Sequence, residues 1–218
     1  MSDPAAAAEH LKLIRGMMER ATVYRAVSAP AAIFGGVLAC ATGGYFIVRA
    51  SGGDGMVRGA EFFWTWVGVL LMVDVFNTVL LWRKAGAAGE PLFSPGLRLA
   101  AFSVAPALLA GGVLSYEVIT GYDEFELCVL AWVLCYGVAL LAMGGVAPRS
   151  LRRLGWLFVA AGVLLFLVWR NFGAAVKPQL GIGEVESASW IMIATFGLLH
   201  LVHGAGVLLR RGASEEVV

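Results

Sequence analysis

FFWTWVGVLLMVDVFNTVLLWRK, residues 62–84, decides the fold class. From Phe62 to Trp82 it runs 21 residues, polar only at Thr65, Asp74, Asn77 and Thr78. At about 1.5 Å per helical residue such a run covers the roughly 30 Å hydrocarbon layer of a bilayer. Phe62, Phe63, Trp64 and Trp66 mark one end and Trp82-Arg83-Lys84 the other, the aromatic and basic flanks of a helix that ends at two membrane interfaces. A strand cannot use so long an apolar block, and a helix on a soluble core would carry a polar face. The stretch therefore predicts a transmembrane helix.

Five further blocks read the same way. The pattern predicts spans at about 26–48, 62–82, 97–118, 126–146, 154–170 and 188–209. The first carries Ala31, Gly35, Ala39 and Gly43 four apart, and the third Ser103, Ala107, Gly111 and Ser115. Small residues on one stripe let a neighbouring helix approach closely. Pro106 predicts a kink in the third span. Before the first span, Leu11, Ile14 and Met18 recur at helical spacing among Lys12, Arg15, Glu19 and Arg20, which predicts an amphipathic helix on the membrane surface. The expected organisation is an all-α polytopic bundle: an amphipathic helix over 1–25, one six-helix transmembrane domain over 26–211 and a tail over 212–218.

Charge sets the expected orientation. With the N-terminus inside, twelve of the 16 Lys and Arg residues (Lys12, Arg15, Arg20, Arg25, Arg83, Lys84, Arg98, Arg149, Arg152, Arg153, Arg210 and Arg211) fall on the cytoplasmic side. Arg49, Arg58, Arg170 and Lys177 fall on the other. Threefold asymmetry over short loops predicts both termini in the cytoplasm. Thirteen Arg against three Lys, with abundant Ala and Gly, suits a GC-rich bacterial genome, so the membrane is expected to be the inner one.

Composition narrows the function. Hydrophobic residues make up 60% of the chain and charged ones 14%, against about 25% charged in a typical soluble domain, and the net charge is +1. Nucleic-acid binding is not expected; the lipid bilayer is the expected partner. A second copy, or a membrane or cytoplasmic protein docked on residues 1–25, is a further expected partner. Cys40, Cys128 and Cys135 lie inside apolar blocks without a CxxC pair, reading as buried thiols. Glu117, Asp123, Glu124 and Glu126 read as a solvated acidic turn between the third and fourth spans.

The chemistry-bearing residues are few. Asp74 sits near mid-membrane, where an ionised carboxylate costs about 2.5–3.5 kcal/mol and needs a partner, a proton or water. Asn77 and Thr78 follow on the same helical face. In the sixth span His200 and His203 lie at matching depth, flanked by Gly197 and Gly204. The leading reading is a non-enzymatic structural, sensory or accessory component in which Asp74, Asn77, Thr78, His200 and His203 hydrogen-bond between helices. The first alternative is a small proton-coupled transporter or channel passing a proton between Asp74 and His200 or His203. The second is a metal or haem protein with His200, His203 and Asp74 as ligands, although no cofactor is the base expectation. That set loosely resembles the Asp/His zinc sites of membrane-embedded hydrolases, which bring more histidines and a serine.

Four stretches carry a broader resemblance: Met18-Glu19-Arg20-Ala21-Thr22-Val23-Tyr24-Arg25, Trp82-Arg83-Lys84-Ala85, Pro148-Arg149-Ser150-Leu151-Arg152-Arg153-Leu154-Gly155 and Thr195-Phe196-Gly197-Leu198-Leu199-His200. The chain resembles an uncharacterised family of small bacterial six-span integral membrane proteins. The resemblance implies the six-span fold and brings no activity or catalytic residue.

Overall fold

A computed structural model describes residues 29–52, 56–89, 93, 95–144 and 147–215 of the chain. The amphipathic helix expected over 1–25 lies outside them. Among the described residues there is no strand, and six helical rods are each long and apolar enough to cross a membrane. They are α1 (Ala29–Ser51), α2 (Gly59–Ala88), α3 (Pro95–Tyr122), α4 (Phe125–Ala142), α5 (Arg149–Leu180) and a composite sixth rod. That rod joins α6 (Glu184–Met192), a π-helical stretch (Ile193–Leu199) and α7 (His200–Glu215).

Local chemistry ends the helices. Gly89, at φ 66°, closes α2 with its N–H on the carbonyls of Ala85 and Gly86, a left-handed cap that glycine adopts without a Cβ penalty. Asp123, at φ 54°, makes the two-residue reversal between α3 and α4, a conformation aspartate tolerates better than most side chains. Pro106 is held within α3, and the helix continues through it.

The rods alternate in direction. The Arg49 guanidinium on α1 pairs with Glu61 on α2, and Lys177 on α5 reaches Glu126 on α4 at 2.8 Å and Glu184 on α6 at 3.9 Å. These contacts gather at one end of the bundle. The helix ends bearing Arg83, Lys84, Arg98, Arg149, Arg152, Arg153 and Arg210 lie at the other.

Two of these residues depart from the sequence reading. The pattern places Lys177 in a loop after residue 170, but α5 continues to Leu180. It places Glu126 in a solvated turn, yet this carboxylate is wholly buried at 0% exposure. A buried carboxylate requires a partner, and the extra turns of α5 carry Lys177 to it. The pattern of apolar residues in the fifth block cannot reveal this, because the partner lies 51 residues away.

Packing is uneven. Half of the most apolar window of α4 is buried, against 6% of that of α2. Helix α4 is thus the centre of the bundle, packed on α3, α5 and α6, while α2 is its most exposed member. Helix α1 lies along the composite rod. Their seam is built on glycines: a Cβ at Gly36 would meet Leu201 and the Gly197 carbonyl, and one at Gly204 would meet Ile33 and the Ala29 carbonyl. The expected stripe on α1 is buried at Ala31, Gly35, Ala39 and Gly43, but it serves two neighbours. Gly43 faces Ile193 of the rod and Gly35 faces Val73 of α2.

Candidate functional site

Helix α4, FELCVLAWVLCYGVALLA, carries Tyr136 in the apolar run that follows Glu126. Across from it, the composite rod widens into its π-helical stretch immediately before His200. Thr195, buried within that stretch, donates its hydroxyl to the Ile191 carbonyl at 2.7 Å. Such π turns insert an extra residue per turn and recur at functional sites. The turn delivers the His200 ring to α4 and α5, where Tyr136 Oη and His200 Nε2 share a hydrogen bond of 2.8 Å. Aromatic rings enclose the pair: Phe158 at 5.4 Å and Phe196 at 6.1 Å from the imidazole centroid, the latter stacked at 10°. His200 Nδ1 is buried near the Phe196 carbonyl without the alignment of a hydrogen bond.

Above this pair lies a cleft of about 170 Å³. Gly35 and Ala39 of α1, Trp66, Leu70 and Val73 of α2, Leu108, Gly111 and Gly112 of α3, Trp132, Cys135 and Tyr136 of α4, and Met192, Phe196 and His200 of the rod surround it. The wall is apolar apart from Trp66, Trp132, Cys135, Tyr136 and His200. Of its three glycines only Gly112 faces open space, where a Cβ would meet nothing within 4 Å; one on Gly111 would meet Cys135 at 2.7 Å and one on Gly35 would meet Val73 at 3.2 Å. Leu70 and Leu108, both exposed, mark where the cleft reaches the surface between α2 and α3. The Trp66 indole Nε1 is buried without a hydrogen-bond partner.

The residues singled out in the sequence are distributed around this feature. At about 100° per residue, Asp74 and Asn77 fall within the arc of α2 that lines the cleft, Asn77 between Trp66 and Leu70 and Asp74 between Phe63 and Val67. Thr78 falls just outside it. Asp74 and Thr78 are exposed, and Asn77 is half-buried with an unpartnered Oδ1. Asp74 has no hydrogen-bond or ion-pair partner among the described residues. Tyr136 is hydrogen-bonded to His200 and not to Asp74. His203 is half-buried and near enough to His200 for their charges to interact. Gly197 and Gly204 face α1 rather than the histidine pocket.

No family model, curated protein or solved structure matches the chain. The chemistry of the site must therefore be read from its own residues. Among the described residues, no group of three or more His, Cys, Asp and Glu side chains is placed to hold a metal ion. His200 Nε2 is already engaged by Tyr136. What the arrangement offers is an apolar, ring-walled space with one hydrogen-bonding pair, Tyr136 and His200, among its lining residues.

Sequence reasoning missed Tyr136, Trp66 and the π turn. Tyr136 carried one usable signal: it is the hydroxyl-bearing ring within α4, at the depth of His200. The π turn carried none that composition reveals.

Proposed function

We propose that this protein is a non-enzymatic sensory or accessory component of the bacterial cytoplasmic membrane that takes a small apolar ligand into the cleft between its helices. The chain crosses the bilayer six times with both termini in the cytoplasm, which the alternation of the rods and the gathering of basic residues at one end support. The cleft carries the functional half of the proposal. Pockets lined mainly by apolar and aromatic side chains with a few convergent polar groups are where helical bundles bind small molecules, and this one opens between α2 and α3, where a molecule dissolved in lipid would enter.

The test is fluorobenzene titrated into purified protein and followed by 19F NMR. Saturable line broadening is expected, and Gly112→Leu, whose side chain fills open space, should abolish it. Broadening that is linear in protein and identical in the variant contradicts the proposal.

One observation favours a second reading. Tyr136 and His200 share a hydrogen bond, and Asp74 falls on the arc of α2 that lines the same cleft, which suits a proton relay in a small transporter. That reading predicts proton-linked flux in proteoliposomes that Asp74→Asn and Tyr136→Phe both remove. Flux untouched by Asp74→Asn sinks it.

A further inference from the structure

We infer that the cleft and Asp74 together bind a lipid-soluble amine, with a ring-sized apolar part in the cleft and a protonated nitrogen against the Asp74 carboxylate. This rests on the reading of the cleft as a ligand site and adds to it the charge of the ligand.

Size comes first. A cavity of about 150 Å³ lined by apolar side chains takes up a single benzene ring, and the cleft measures about 170 Å³. One ring therefore fits, and the rest of the molecule must lie outside. Phe63, Trp66, Trp132, Tyr136 and Phe196 all line the cleft, and such walls favour a flat ring through stacked and edge-on contacts. Leu70 and Leu108 line it and are also exposed, so the way out runs between α2 and α3, which pack sparsely against each other.

Asp74 stands beside that exit. It lies one helical turn beyond Leu70, a spacing that sets two side chains about 5–6 Å apart on one face of a helix, and it directly follows Val73, which also lines the cleft. Its side chain is exposed, and no described residue bonds or pairs with it. Eight residues, or about 12 Å, separate it from Trp82 at the membrane interface. At that depth an ionised carboxylate is costly and calls for a partner, a proton or water.

The sign of the ligand's charge follows. No Lys, Arg, Asp or Glu is among the residues lining the cleft, so the carboxylate at the exit decides what a molecule may carry there. An anion is repelled, and a hydrocarbon leaves the carboxylate as it was. An ammonium pairs with it through a charge-assisted hydrogen bond, and a short tether between ring and nitrogen spans the one turn from Leu70 to Asp74.

The experiment titrates two fluorinated probes into the full-length protein in non-ionic detergent at neutral pH, followed by 19F NMR. One is para-fluorophenethylamine, which is protonated; the other is para-fluoropropylbenzene, in which a methyl group replaces the ammonium. Saturable broadening is expected for both, and Gly112→Leu should abolish it. Asp74→Asn should weaken the amine about tenfold or more and leave the propyl compound unchanged, while Asp74→Glu, which keeps the charge, should retain most of the amine's affinity. The propyl compound thus reports that each variant is folded. The inference is overturned if Asp74→Asn leaves the amine's affinity unchanged, if it weakens both probes alike, or if it alters only the size of the protein in detergent, which would assign the carboxylate to a protein neighbour. Should the propyl compound saturate while the amine shows no dependence on Asp74, the cleft remains a ligand site and only the amine class is lost. Should neither probe saturate, the reading of the cleft falls as well.

Discussion

Lys177 and Glu126 meet at 2.8 Å with the carboxylate wholly buried and the ammonium 24% exposed. Removing one partner of a buried pair costs about 3–5 kcal/mol because the other charge is left behind. Lys177 retains some solvent, so Lys177→Met should destabilise the protein by about 3 kcal/mol, the lower end of that range, in SDS-titration unfolding. Adding Glu126→Leu to Lys177→Met should recover most of the loss. Tyr136→Phe deletes a single neutral hydrogen bond to His200 and should cost about 1 kcal/mol in the same assay. At this scale the sequence exposes what is out of place and hides what fits. Asp74, Asn77 and His200 stand out because polar groups are expensive in apolar runs, and of the three His200 lines the cleft. Tyr136 and Trp66 stay hidden because an amphipathic ring is at home in such a run. Glu126 is misread because a carboxylate near a helix start looks like part of a turn until its distant partner is placed.

Between elements, the glycine seam of α1 and the composite rod is the most exacting contact. A Cβ on Gly36 would stand 2.7 Å from Leu201 Cγ and 2.8 Å from the Gly197 carbonyl oxygen, whereas one on Gly44 would meet nothing within 4 Å. Gly36→Leu should therefore destabilise by at least the 1–3 kcal/mol or so typical of overpacking, and Gly44→Leu should leave the thermal midpoint in detergent nearly unchanged. Equal effects of the two would show that α1 does not pack as described. Small-residue spacing made this helix legible as a packing surface, but not its two neighbours, since a stripe four residues apart drifts around an α-helix and meets more than one of them. The π turn is a different case. It is a property of backbone hydrogen-bond register, which a side-chain pattern does not encode, and it ends immediately before His200. The extension of α5 to Leu180 was obscured because Pro178, Gly181 and Gly183 read as an outer loop over about 171–186, and Lys177 is accounted for only once Glu126 and Glu184 are placed beside it.

At the scale of the molecule, six rods run up and down with basic residues gathered at one end and the buried or half-buried ion pairs at the other. Long apolar blocks and their flanks made the rods legible, because length and hydropathy are written in consecutive residues. The cleft was not legible, since it exists only where residues of four helices and the composite rod come together. The account stands or falls on those rods crossing a bilayer with the basic end in the cytoplasm. Substituted-cysteine labelling tests this directly, in a background where Cys40, Cys128 and Cys135 are replaced by alanine. With a membrane-impermeant maleimide applied to spheroplasts, Asp123→Cys, in the α3–α4 turn, should label without lysis. Ser150→Cys, at the basic α5 end, and Ser214→Cys, near the C-terminus, should label only after lysis. Labelling of Ser150→Cys in intact spheroplasts, or protection of Asp123→Cys there, would contradict the account.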